Sequence, residues 1–522
     1  MKTTKIILYI FLIISFSGCE KFLEEDPRAI IAPETFFASE NDARQAINGT
    51  YAILKNNSIY GQVGLDHFYD NGADIIEPNR AANFVQPIGN YTLNEALADV
   101  SIQKMSVSDT WKDLYRVIFN TNIIIDRVTG NEAILDDVRT EIIAEARFLR
   151  ALCYWHITNL WGDAPYYSEV LTLEEVSQLG RTPEDIIITG TIEDLQFAQS
   201  ILPDAYPDNQ RGRASKWAAA IIEAKIYMKQ KDWQGGLNKC LEIINQSSHE
   251  LLPTYEEVFD PLNEYNAEII WSLDFAKDIE GLFDPAFPGR AFAGNNSWRP
   301  SMFNPRLRDE PKNTDERGAL SAALTANGQA FNGTGLQVAS KDFAEKFPLN
   351  DLRRPLNIVD NYLGFDLNFP YMAKFWNLDL ETSPRFNHSD NRMVFRLADV
   401  YLMAAECENE LNGPDGAYQY IHPIRQRAYE TQAEWELVGL SQQEFREAIY
   451  DERKWELAAE AHRRYDLIRW GILLDVVQNL EYRFWEPNVN IRPYHVLLPI
   501  PLQELELNPN LLESDPTNNG YR

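Results

Sequence analysis

Apolar residues recur at spacings of three and four through most of the chain, the period of helices buried on one face. Between Arg139 and Trp161 the series is Ile142, Ala146, Leu149, Cys153, Ile157 and Leu160, and Gly162 and Pro165 end it. Ser39-Glu40-Asn41-Asp42 reads as a capping-box helix start, followed on one face by Ala43, Ala46, Ile47, Tyr51 and Leu54. Residues 214–231 carry Ala218, Ala220 and Ala224, small enough for close helix contact. Asp232 then caps a second helix with Trp233, Leu237, Leu241 and Ile244 on one face. Two such helices joined by a short turn are a tetratricopeptide-type unit. A further pair starts at Leu397–Leu411, breaks at Gly413-Pro414 and resumes after Asp415. Stacked pairs bury a core that no single pair can, so the pattern predicts an all-α scaffold of helix pairs. Residues 61–100 and 276–340 lack this period and are rich in Gly, Asn, Pro and aromatics, as functional loops are.

Asp451–Gly471, DERKWELAAEAHRRYDLIRWG, reads as one helix. Glu452, Glu456 and Glu460 stand four apart, with Arg453, Arg463, Arg464 and Arg469 nearby. Paired carboxylates can hydrolyse a glycoside, but only from opposite sides of a bond. A cation within one helical turn of each acid also favours its ionised form. The stretch therefore reads as ion pairs joining helices, with Trp455, Tyr465 and Trp470 filling the spaces between them.

Composition narrows the function classes. The 522 residues carry a formal charge of −30, which lacks the basic footprint a nucleic-acid binder needs. At the N-terminus, Lys2 and Lys5 precede an apolar run from Ile6 to Ile14 and the small residues Ser15, Ser17 and Gly18. This is the pattern of a signal peptide. Gly18-Cys19 resembles a bacterial lipobox, which implies lipidation at Cys19, although Phe16 stands where Leu is usual. The other cysteines, Cys153, Cys240 and Cys407, fall inside helical patterns and read as small core residues. His249-Glu250 has no second His at the zincin spacing, and no GxSxG elbow, Walker A loop or EF-hand loop occurs.

Several stretches, in order along the chain, resemble the SusD/RagB family of outer-membrane nutrient-binding lipoproteins. They are Gly18-Cys19, FLEEDP, PETFF (33–37), WKDLYRVIFNTN (111–122), AEARFLRALCYWHITNLWGDAPYY (144–167), GRASKWAA (212–219), FRLADVYLMAAECENE (395–410), IRQRA (424–428), the 451–471 stretch and LLPIPLQELELNPNL (497–511). The resemblance implies an all-α fold of tetratricopeptide-like helix pairs with a loop-rich second half packed against it. It divides the chain into a signal peptide (1–18), an N-terminal segment (19–265) and a C-terminal segment (266–522). It also implies a lipid anchor on the outer membrane facing the extracellular side, and a SusC-like TonB-dependent outer-membrane barrel as partner. The implied ligand is a glycan or oligosaccharide, less often a peptide, with no catalysis and no cofactor; a structural calcium ion is left open. Trp217, His422-Pro423 and the ending ESDPTNNGY depart from the family pattern.

No motif fixes the ligand residues, so they are expected from loop position and chemistry. A sugar ring stacks on an aromatic face while its hydroxyls need polar partners. Tyr69, Asp74, Arg80, Phe84 and Tyr91 supply both kinds of group, as do Asn295, Asn296, Trp298 and Arg299. Trp298 is the first choice among the aromatics and Trp376 a second. Three other readings stay open: an oligopeptide binder, a surface glycoside hydrolase, and a structural repeat that only gates the barrel.

Overall fold

The computed structural model describes residues 37–61, 64–79, 86–100, 106–276, 297–379 and 388–522. The leader and Cys19 lie outside the described residues.

The helical period survives almost intact. Helix α1 (Glu40–Leu54) begins with the expected capping box, Ser39 and Asp42 each bonding the other's backbone N–H. A short helix α2 (Gly64–Asp70) and strand β1 (Ile76–Pro78) follow. Helix α3 (Val107–Val128) starts on a second capping box, Ser106 with Asp109. Helix α4 (Asp136–Trp161) ends at Gly162, whose φ of 70° suits a residue without Cβ. Next come α5 (Glu184–Ile201), α6 (Lys216–Lys229) and α7 (Trp233–Gln246), the last capped by Asp232 as its sequence predicts. One turn of helix α8 (Tyr255–Val258) leads to strand β2 (Ile269–Leu273).

The second half has shorter elements: α9 (Arg299–Phe303), β3 (Gln337–Ala339), β4 (Val359–Tyr362), β5 (Phe365–Tyr371) and β6 (Arg392–Arg396). It then returns to long helices, α10 (Leu397–Asn412), α11 (Pro414–Gln426) and α12 (Gln442–Glu456). Pro423 interrupts no more than a hydrogen bond, since α11 continues to Gln426. The described strands form three antiparallel two-stranded ribbons, β1–β3, β2–β6 and β4–β5.

The helices stack in sequence: α1 on α3, α3 on α4, α4 on α5, α5 on α6, α6 on α7, α7 on α10, and α10 on α11 and α12. Small residues set the spacing. A Cβ on Gly236 of α7 would sit 3.0 Å from the Cys407 Sγ of α10, so glycine lets these helices approach closely without displacing that thiol. Cys153, Cys240 and Cys407 are free and buried. The main core runs from Ala43 to Leu511 and includes Phe395, Met403, Tyr465 and Leu498, so it draws on both halves. No helix among the described residues is long and apolar enough to cross a membrane.

The 451–471 stretch departs from its expected single helix. Helix α12 stops at Glu456, and α13 (Arg463–Arg469) starts seven residues later. Ala459 and Ala461 adopt φ of 58° and 66°, a left-handed conformation that costs about 1–2 kcal/mol for a residue with a Cβ. Long-range partners hold this turn. The Asp70 carboxylate accepts the backbone N–H groups of Ala461 (2.7 Å), His462 (3.2 Å) and Arg463 (3.3 Å). Arg396 and Tyr255 donate to the Glu456 carbonyl, and Arg299 to that of Ala459. The local sequence contains no glycine or proline to announce the break; residues far away in the chain impose it.

The ion-pair reading of the stretch holds. Glu456 is fully buried among Arg353 (2.8 Å), Arg396 (2.6 Å) and Arg427 (2.6 Å). Burial would raise its carboxyl, but the three guanidiniums outweigh that and hold it far below the usual range. Glu452 pairs with Arg353 and Arg425. Arg453 and Arg469 share Asp466.

Candidate functional site

Where β2 and β6 pair, the turn after α8 and the segment 374–376 stand apart and leave a cleft. Its apolar walls are the half-buried rings of Phe259, Phe375 and Trp376. Its polar groups are Glu264, Asp390 and Asn391, with Arg299 and Lys374 at the base.

Each ring is fixed. The Trp376 indole N–H donates to the Phe303 carbonyl at 3.0 Å, and its ring meets Tyr362 edge-on at 5.4 Å. Phe375 packs on Phe303 at 5.1 Å and meets Phe259 edge-on at 5.8 Å. The Arg299 guanidinium lies 3.6 Å over the Phe375 ring, within cation–π range. Lys374 Nζ sits 4.6 Å from the Phe259 ring centre, donating to Glu460 at 2.7 Å and to the Tyr255 hydroxyl at 3.1 Å. Burial pulls Lys374 down to about 8, with Glu460 opposing. Burial, joined by the neighbouring Arg392, takes Arg299 down to about 9.

Above the base the cleft turns acidic. Glu264 accepts the Asn391 backbone N–H, and burial raises its carboxyl to about 7. Aromatic faces beside carboxylates and an amide suit a ligand with apolar C–H faces and many hydroxyls. Among the described residues no group of three or more His, Cys, Asp or Glu side chains is placed to hold a metal ion.

Of the residues singled out from sequence, Arg299 and Trp376 line this cleft. Four others lie inside the protein. Tyr69 bonds His156 at 3.0 Å and meets Tyr465 edge-on. Asp74 makes a two-point pair with Arg463, both contacts at 2.7 Å. Tyr91, at φ of 55°, donates to the Gly72 carbonyl. Trp298 is 2% exposed, its backbone N–H on the Gly61 carbonyl. Arg80, Phe84, Asn295 and Asn296 fall outside the described residues. Sequence reasoning missed Phe259, Glu264, Phe375 and Asp390. Phe259-Asp260-Pro261 ends a one-turn helix and carries a turn signal, but nothing local marks that turn as one wall of a cleft whose other wall is a hundred residues away.

The chain matches two family models: one described as the SusD family over residues 307–521, and one described as starch-binding associating with outer membrane over residues 21–228. It is 72% identical over the full length of both chains to SusD-like protein P25 of Formosa agariphila. Among solved structures it resembles a SusD homolog from Bacteroides thetaiotaomicron, with a TM-score of 0.75 and 21% identity, covering 93% of this chain and 99% of the other. It also resembles surface glycan-binding protein A of the same organism in complex with laminarihexaose, with a TM-score of 0.71 and 20% identity, covering 90% and 97%. With its helix-pair stack and its ordered sequence matches, the chain belongs to the SusD/RagB family.

Proposed function

We propose that this protein is a surface glycan-binding lipoprotein of the outer membrane. It captures a glycan or oligosaccharide and hands it to a SusC-like TonB-dependent barrel, with no bond broken. The observation that carries the reading is family membership over the whole chain, joined to a cleft with three fixed aromatic rings and a hydroxyl-binding rim. Binding to laminarihexaose by a relative of the same fold makes a saccharide the first ligand class to try. Cys19, at the end of the leader, is the proposed lipid attachment point, and facing outward follows from the capture role. Trp376 serves as a wall of the site and Arg299 as part of its base, while Tyr69, Asp74, Tyr91 and Trp298 hold the structure behind it.

The hydrolase reading loses Glu456, which three arginines keep ionised and enclosed. A hydrolase would have to run through Glu264 and Asp390, since Glu264 has the raised carboxyl expected of a general acid. The test is an array of polysaccharides, oligosaccharides and peptides, followed by product analysis on the glycans bound. Binding without cleavage supports capture. Peptides as the sole ligands overturn the glycan reading, and cleavage that Glu264→Gln abolishes overturns the absence of catalysis.

A further inference from the structure

Beside Tyr265, two concavities meet at Arg213. Together they form a groove between the end of α1, the 204–215 segment and β2. Its polar lining includes the amides of Asn48, Asn209 and Gln210 and the guanidiniums of Arg211 and Arg213. Asn48, Asn209, Gln210 and Arg211 are exposed. One large ring, Tyr265, is 39% exposed, and the Arg211 guanidinium lies 4.9 Å from its centre.

We infer that this groove is a second saccharide-binding site. Each amide offers a donor and an acceptor side by side, and each guanidinium a fork of donors, which match neighbouring hydroxyls on a sugar ring. The groove's charges are already offset. Arg213 holds Glu145 and also donates to Asn48, and Arg211 pairs with Asp208. A polyanion therefore finds both guanidiniums already paired.

The groove adjoins the cleft. Ile269 and Ser272 of β2 line both. A saccharide chain can thus run from one to the other, and the two sites together would favour long glycans over short ones through effective concentration. The inference shares the glycan reading proposed above, and the experiment separates the two.

The full mature chain is screened on an array carrying laminarin, starch, xylan, alginate and pectin, and the glycan with the strongest signal is titrated against variants. Asn209→Ala and Tyr265→Ala are each expected to weaken binding at least fivefold without changing the thermal midpoint. Should Tyr265→Ala misfold, the exposed Asn209→Ala carries the test. Loss through the cleft variant Glu264→Gln, with both groove variants at wild-type affinity, overturns the groove and keeps the cleft. Loss through the groove variants alone supports the groove and overturns the cleft reading. No signal from any of the five glycans overturns both.

Discussion

Lys374 Nζ lies 2.7 Å from Glu460 Oε1, joining the base of the cleft to the turn that separates α12 from α13. The same Glu460 takes Arg396; burial would raise its carboxyl, but these two cations outweigh that and leave it at about 2. The cleft floor is thus one end of a buried charge network that also enforces the left-handed turn. Removing one partner of a buried pair costs about 3–5 kcal/mol, so Lys374→Met should lower stability by that order. Lys374 is near 8 when folded against 10.5 when unfolded. The unfolded chain therefore binds more protons between pH 8 and 10.5, and this residue's contribution favours folding increasingly as pH rises through that window. Urea unfolding at pH 8 and pH 10 should show the gap between wild type and Lys374→Met widening at the higher pH; a constant gap would count against the assignment.

Glu456→Gln should destabilise by about 3–5 kcal/mol, because it removes the one buried carboxylate that Arg353, Arg396 and Arg427 share. Denaturant midpoints measure this. A loss under 1 kcal/mol would mean that the guanidiniums find other acceptors.

Trp298→Ala is expected to act on stability. A large buried ring removed from a packed interior costs about 3–5 kcal/mol. If thermal melting instead leaves the midpoint unchanged while glycan affinity drops, Trp298 belongs to the ligand.

The acid profile should have two regimes. His67 and His156 are held near 3, and His462 and His495 near 4, by burial, so the unfolded chain takes up more protons at these four below pH 6.5. Asp70, Glu264 and Glu310 are raised to about 7, so the folded chain takes up more at these three between pH 7 and 4.5. The two sets oppose each other, and stability should stay nearly level from pH 7 to about 5. Below 4.5 the raised acids are protonated in both states, while Glu456 and Glu460 begin to protonate in the unfolded chain alone. Stability should then fall steeply. Urea midpoints across pH 3–7 measure the shape, and a uniform slope from pH 7 downward would refute it.

Ala461→Gly should be neutral or stabilising by up to about 1 kcal/mol, since glycine removes the cost of a positive φ at this half-buried site. Loss of stability would mean that the methyl packs more tightly than its exposure suggests.

The helix-pair scaffold was legible because its signals are local: Ser39 and Asp232 as caps, Gly162 and Gly413 as stops, and alanines at the α6 crossing. The break after Glu456 was not, because its causes sit elsewhere, in Asp70, Arg299 and Arg396. The candidate site fared as the break did. Arg299 and Trp376 could be picked for their chemistry, but the same chemistry picked Tyr69, Asp74 and Trp298, which face inward. Loop aromatics and interior aromatics have the same composition, and only the packing of β2, β6 and the 374–376 segment tells them apart.

Asp70 caps a helix start 391 residues further along, Arg483 bonds Glu77 across 406, and the Trp161 indole N–H reaches the Pro499 carbonyl across 338. These ties close only when nearly the last residues of the chain have been synthesised, whereas α3 to α7 pack on their neighbours in sequence and can assemble before then. Fragments ending near residue 265 would expose the α7 face that α10 covers, and completing the fold should proceed at the slow rates that distant contacts impose.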